Sequence, residues 1–424
     1  MWGCVILAVV LPFKGVRFSK SAGNIADLVC PPYDIISEEQ REQFLKTNPH
    51  NVIRLELPRE GADVYAAAAK TLQEWKKNRT LQTEEKESFY IYEESFTVNG
   101  QQKTLRGIMA RVKLTDFEQG VVIPHENTLS AAKEDRFQLM RATGFNFSPV
   151  YCLFEDDDDQ LAQWMNQNSA ANPLYSFNTP SGIGQKMWRI DGDPAVTAAF
   201  AEKCLYIADG HHRYETALRY RNQMQAEGKA PGCDYVMMML VPLQSSGLVV
   251  LPTHRVVHSI PNFNGRKMML SCRGYFHVGE MSTPEILLKY MNKEYQNGKI
   301  SFGAYVNKRF FLLTLKNHPT LEQSMAKSHP VLRHLDVSVL HSLILEDVMG
   351  IDRENMARQQ NLSYTRSVAQ AVQAVDDGAD CAFFLNPTRV EQIAEVGKAG
   401  QKMPQKSTYF YPKLITGLVL NRLK

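Results

Sequence analysis

The chain has 424 residues, 44% of them hydrophobic and 22% charged, ordinary globular proportions that exclude a disordered, collagen-like or fibrous protein. At roughly 100–200 residues per domain, this length allows about two to four domains and a large core without disulfide or metal staples. With 48 Lys+Arg against 45 Asp+Glu the formal charge is +3, which argues against a strong nonspecific grip on nucleic acid or anionic lipid.

The apolar stretch Val5–Phe13 is broken by Pro12 and is shorter than the about 20 residues a membrane span needs. It lacks a basic flank and a small-residue cleavage site, so it reads as an early strand, with Met1–Cys4 as a start-site extension. Val9–Phe18 is strand-like, and Pro31-Pro32-Tyr33-Asp34 is stiff and extended. Ser37 followed by Glu38-Glu39-Gln40 signals a helix start with a capping box. Asn51–Leu57 alternates and reads as a strand, with Glu56 on the face opposite Leu55 and Leu57. Asp63–Asn78 has helical spacing, and Asn99-Gly100 joins two strands, Ser88–Val98 and Lys103–Leu114, into a hairpin.

Beyond this, Ser130–Ala142 reads as a charged helix, Val150–Phe154 as a strand, and Glu155–Asp159 as a solvated acidic loop before a helix at Gln160–Ser169. The buried strand Cys204–Ile207 runs into Asp209-Gly210, and Tyr214–Glu227 follows as a helix. Tyr235–Leu243 and Leu248–Pro252 are further strands. Residues 260–330 form a smaller α+β unit with a helix at Thr283–Tyr295 and strands at Ser301–Val306 and Arg309–Leu315. Val337–Leu345 is helical, Cys381–Leu385 is a strand, Arg389–Glu395 a helix, and Tyr409–Leu420 closes the sequence. This gives an α+β chain of three stretches: 1–259 as the core, 260–335 as the smaller unit, and 336–424 as a segment returning to the core. The seven cysteines are scattered without a C-x-x-C pair, which fits buried thiols in a reducing, cytoplasmic setting.

The sharpest chemical signal is Asp209-Gly210-His211-His212-Arg213. A strand stops there and a helix starts, so backbone N–H groups and a partial positive charge gather at the turn. Gly210 allows close backbone approach, Arg213 can fork a phosphate, and His211 and His212 add donors. Asp209 can orient a histidine or hold Mg²⁺ on phosphates. The plain alternative is a capped helix with surface histidines. A zinc site is disfavoured, because adjacent helical histidines point about 100° apart.

A second cluster runs through His125-Glu126-Asn127-Thr128, Lys133, Asp135 and Arg136. Glu126 can act as a base and Lys133 or Arg136 can bind phosphate; the alternative is an ordinary charged helix face. A third stretch, Met403–Lys413, offers Lys406 and nearby hydroxyls to a nucleotide, although its aromatics also suit a core. Asp34 and Glu56 are further carboxylates, and His254 reads best as a satisfied structural histidine. The P-loop, dinucleotide-fold, zinc-protease and nucleophile-elbow motifs are all missing from the sequence.

Four motifs, PPYD at Pro31–Asp34, HENT with the following Lys133 and Asp135-Arg136, ADGHHRYETA at Ala208–Ala217 and KSTYFYPKL at Lys406–Leu414, together resemble a bacterial and archaeal family known as a domain of unknown function. Separately, the strand-DGHHR-helix stretch resembles the ParB/sulfiredoxin-like superfamily, which includes nucleotide switches, sulfiredoxins and free L-serine kinases. That resemblance implies a mixed-sheet ParB-like core with Asp209, Gly210, His211, His212 and Arg213 lining a phosphate-transfer site. It further implies ATP or ADP with Mg²⁺, a small hydroxyl substrate such as free serine or phosphoserine, and an N-terminal acidic base, for which Asp34, Glu56 and Glu126 are candidates. A non-catalytic nucleotide-binding regulator and a metal-dependent phosphohydrolase on His125, Glu126, Asp209 and His211 are the competing expectations.

Overall fold

The computed structural model describes residues 8–126, 130–228, 231–316, 318–326 and 328–423. Met1–Cys4, Asn127 and Thr128 therefore lie outside the described residues. The chain divides into two compact units. The first comprises Met1–Pro124, Thr128–Leu248 and Pro412–Lys424; the second comprises His125–Asn127 and Val249–Tyr411.

The first unit is built on a nine-stranded mixed sheet. Its order is Val122–Ile123, Leu205–Asp209, Val150–Phe154, Tyr235–Pro242, Gln101–Lys113, Ser88–Val98, Gly184–Asp191 and Tyr175–Asn178, with Val10–Leu11 added beside Gln101–Lys113. Leu205–Asp209 is parallel to Val122–Ile123 and antiparallel to Val150–Phe154, which is in turn parallel to Tyr235–Pro242. The α+β expectation therefore holds. The central hairpin turns at Asn99-Gly100, where both residues have positive φ (51° and 75°), as its turn type requires.

One face of this sheet is closed by the helix His211–Ala226, which buries Tyr214, Ala217, Tyr220 and Met224 against Ile108, Val112, Val150 and Ile207. A second core gathers Val52, Ile53, Leu55, Leu72, Trp75, Leu139, Phe145 and Leu420. Ser37 and Gln40 form the expected capping box, with reciprocal bonds of 2.9 and 3.2 Å.

Three stretches differ from the sequence reading. Asn51–Leu57 is not a strand: Ile53–Glu56 is a helical turn. The buried Asn51 side chain accepts the Ile53 N–H at 2.9 Å and donates to Asp27 O and Val29 O, so a local side-chain bond bends the chain where alternation suggested extension. Val9–Phe18 is two short strands, Val10–Leu11 and Val16–Phe18. In the acidic run, Asp156 is buried and accepts the Leu161 and Ala162 N–H groups at the head of the next helix, while Asp157–Asp159 are exposed.

The second unit holds a six-stranded, wholly antiparallel sheet. Its order is Phe276–Met281, Arg309–Leu315, Ser301–Val306, Cys381–Phe384, His254–Val257 and Leu362–Thr365. Leu287 and Met291 of the helix Pro284–Gln296 and Ala371 of the helix Val368–Asp376 pack with Val256 and Phe384. The expected helix at Val337–Leu345 begins as Asp336–Val339 and continues as a π-helix, Leu340–Val348. Long π segments are rare and recur at functional positions. No helix among the described residues is long and apolar enough to cross a membrane.

Candidate functional site

The site grows from the end of the strand Leu205–Asp209. Gly210 takes a left-handed conformation (φ 92°, ψ 27°), and the helix starts at His211. Glycine fits there chiefly through its backbone. A Cβ would sit 2.9–3.0 Å from the Arg213 guanidinium, and the positive φ disfavours any L side chain. The corner thus starts the helix two residues after Asp209, where the helix's own hydrogen-bond ladder has not yet begun. His211 is buried and His212 half-buried.

Asp209 is held by two cations, one four residues further along the chain and one from a distant part of the sequence. Arg213 Nη2 donates to Oδ2 at 2.5 Å, and Lys413 Nζ, from the segment Pro412–Lys424, pairs with Oδ1. Burial alone would raise the Asp209 carboxyl, but Lys413, Arg213 and His211 outweigh it and hold the group well below the usual carboxylate range. A second Arg213 nitrogen, Nη1, donates to Pro149 O. Asp209 is therefore a fixed anion that aims two cations, and both its oxygens are occupied.

Next to Arg213 lies a buried carboxylate, Glu56, at 2% exposure. Its Oε1 accepts the Ser148 hydroxyl at 3.0 Å and lies 4.0 Å from Arg136 Nη1, which donates to Glu56 O at 2.6 Å. Burial pushes the Glu56 carboxyl above its ordinary value, opposed by Arg136, Arg213 and the Ser148 hydroxyl. Glu56, Arg136, Ser148 and Arg213 line a cavity of about 40 Å³, room for one water-sized group. Arg136 also stacks over the Tyr33 ring at 4.1 Å, which brings PPYD to the site through its tyrosine. Burial, moderated by Arg136, pushes that phenol up to about 12. Asp34 is exposed.

The remaining sequence candidates separate. Lys133 Nζ pairs with Glu215 at 2.7 Å within the same unit. Glu126 and Lys406 belong to the second unit, where Glu126 Oε1 accepts the backbone N–H of Lys406 at 2.7 Å and the Lys406 side chain is exposed. His125 is buried and its Nε2 meets Thr408 Oγ1 at 3.0 Å. His254 is also buried; its Nδ1 accepts the Leu385 N–H, and burial with Arg255 nearby lowers its pKa to about 4. Among the described residues, no three His, Cys, Asp or Glu side chains are grouped to hold a metal ion.

Two residues escaped the sequence reading. Lys413 stood inside the KSTYFYPKL motif, but nothing local marked it over Lys406. Glu94 lies in the sheet of the first unit, accepting the Tyr92 hydroxyl at 2.9 Å and Gln185 Nε2 at 3.3 Å. Burial pushes its carboxyl up to about 7, offset in part by these two donors.

The family model described as "Protein of unknown function (DUF1015)" matches residues 10–338. The chain belongs to this family. The DUF1015 match spans the DGHHR corner, Glu56 and Arg136, and ends before Lys413. No curated protein matches the sequence. Among solved structures, the chain is similar to a conserved hypothetical protein from Pyrococcus furiosus, at 14% identity over 68% of this chain and 87% of that one, with a TM-score of 0.32. It is similar to a free serine kinase in complex with AMP, at 14% identity over 68% and 83%, with a TM-score of 0.35. It is also similar to SbnI with a C-terminal truncation from Staphylococcus aureus, at 13% identity over 74% and 88%, with a TM-score of 0.37. These likenesses are distant.

Proposed function

We propose that the first unit of this DUF1015 protein is a nucleotide-dependent phosphotransferase acting on a small hydroxyl substrate, with ATP or ADP as the nucleotide. One observation carries this reading: a buried carboxylate, Glu56, shares a small cavity with Arg136 and Arg213, and Arg213 is anchored at a glycine corner opening a helix. Phosphoryl transfer needs positioning and charge stabilisation more than covalent chemistry, and these residues supply both.

In this scheme the helix N-terminus with Gly210, His211 and His212 receives phosphate oxygens. Arg213, Lys413 and Arg136 offset the charge that spreads over the transferred group. Asp209 is a positioning residue, holding Arg213 and Lys413 in place. The substrate hydroxyl enters beside Glu56, which accepts its proton. The hydroxyl oxygen forms the new P–O bond while the bond to the nucleoside phosphate breaks. A cavity of this size suits a hydroxymethyl group, and the DGHHR resemblance to serine kinases makes free serine and phosphoserine the first substrates to test. Magnesium accompanies nucleotide phosphates, yet the described residues form no cage for it; such an ion belongs to the phosphate oxygens.

The test is direct. Purified full-length protein is incubated with ATP or ADP and L-serine, or with phosphoserine for the reverse direction, while its melting temperature is followed with nucleotide alone. Turnover together with a nucleotide-induced rise in melting temperature supports the reading. Neither appearing overturns it.

A further inference from the structure

The second unit contains a cavity of about 230 Å³ that the phosphotransferase reading does not use. This is the volume of roughly eight liquid waters, enough for a small metabolite. Its polar side comes from Ser338 of the helix Asp336–Val339, His341 of the π-helix Leu340–Val348 and Tyr364 of the strand Leu362–Thr365. Ser338 Oγ, His341 Nε2 and Tyr364 Oη are each buried without a hydrogen-bond partner among the described residues, and Ser338 and His341 are 5% and 7% exposed. Three polar atoms left without a partner in residues that line one cavity are costly unless water or a ligand meets them. The other wall is thioether, from Met325, Met356 and Met403, a soft surface that adapts to an apolar body.

The local field selects the ligand's polar end. Arg255 is fully buried and donates to the carbonyls of Thr253, Gln405 and Lys406. Burial brings it down to about 10, so it stays charged at neutral pH. Glu126 offsets part of this charge. The guanidinium lies 5.3 Å from the Tyr364 ring. Burial, and then this cation, keep His341 neutral. At the rim, Arg353 pairs with Glu346 at 3.2 Å. Hydroxyls and a neutral imidazole in a positive field favour an acceptor carrying negative charge.

We propose that this cavity binds a small carboxylate with an apolar body, of the size of a branched or aromatic amino or keto acid, its carboxylate meeting Ser338, His341 and Tyr364 and its body resting on the three methionines. The site is independent of the phosphate corner in the first unit.

The probe is 4-methylpentanoate, with 4-methylpentanamide as the isosteric neutral control. Each is titrated into full-length protein carrying ¹³C-methyl methionine. Saturable shifts of the Met325, Met356 and Met403 methyl signals with the acid, and not with the amide, are expected. Tyr364→Phe and Ser338→Ala should each weaken the acid about tenfold. The proposal is overturned if the three signals stay still up to about 10 mM acid. It is equally overturned if the amide shifts them as the acid does, or if both variants bind the acid like wild type.

Discussion

Asp209 and Glu126 look alike in sequence, each an acid within two residues of a histidine in a cation-rich stretch, yet their partners differ in kind. The Asp209 oxygens are taken by two side-chain cations, Arg213 and Lys413. The Glu126 Oε1 oxygen accepts a backbone N–H from a loop whose residue 406 has a positive φ of 58°. Cations lined up by a carboxylate can also face an incoming anion. One that accepts from the main chain fastens a turn. The lesson is that acid and base residues close in sequence do not define a site; what occupies their oxygens does.

The largest expected effect falls on neither of these two but on the carboxylate the corner serves. Glu56→Gln should cut phosphoryl transfer by about 10²–10⁴-fold, the usual weight of a general base, while leaving the nucleotide-induced rise in melting temperature in place. Loss of nucleotide binding in this variant would make Glu56 a structural element of the corner. Lys413→Met comes next. It removes one of two cations at Asp209 and should weaken nucleotide binding about tenfold, read by isothermal titration. An unchanged affinity would make Lys413 a stability device only.

Glu94 extends the series to a carboxyl whose hydrogen-bond partners are neutral. Its proton affinity in the folded chain lies near 7, against 4.5 ordinarily. Between those values the folded chain binds more protons than the unfolded one, so this group's contribution to stability falls as pH rises. Glu94→Gln should flatten that slope and gain on the order of 3 kcal/mol relative to wild type above pH 7. Equal denaturation slopes in the two proteins from pH 5 to 8 would contradict this account. The smallest effect is on the fastening carboxylate. Glu126→Ala should cost about 1 kcal/mol for one lost acceptor, measured by chemical denaturation, and should leave turnover within about twofold of wild type. A hundredfold loss of turnover would make Glu126 more than the fastening of a turn.

Much of the frame was legible because its signals are local. Asn99-Gly100 predicts the hairpin, Ser37 with Gln40 the capping box, and Asp209-Gly210 the corner, each through turn chemistry acting over a few residues. What stayed hidden depends on tertiary partners. Asn51 looks like the polar start of a strand, and only its buried bonds to Asp27 O and Val29 O make it the pivot that turns Glu56 inward. Glu56 stood among the candidate bases, but on a strand face opposite Leu55 and Leu57, for the same reason. Lys413 carries no local mark, because its partner is 204 positions away. The π-helix is likewise silent in a sequence whose apolar spacing suits an ordinary helix.

That separation has a consequence for biosynthesis. A ribosome delivers Asp209 and Arg213 long before Lys413, so a nascent chain can pleat its sheet and wind the helix while the aspartate still lacks its second counterion. The finished electrostatic pocket comes into being only once residues 412–424 arrive, and because the same segment carries Leu420 into one core and Leu423 into the other, a message truncated just upstream of it would forfeit packing together with the counterion.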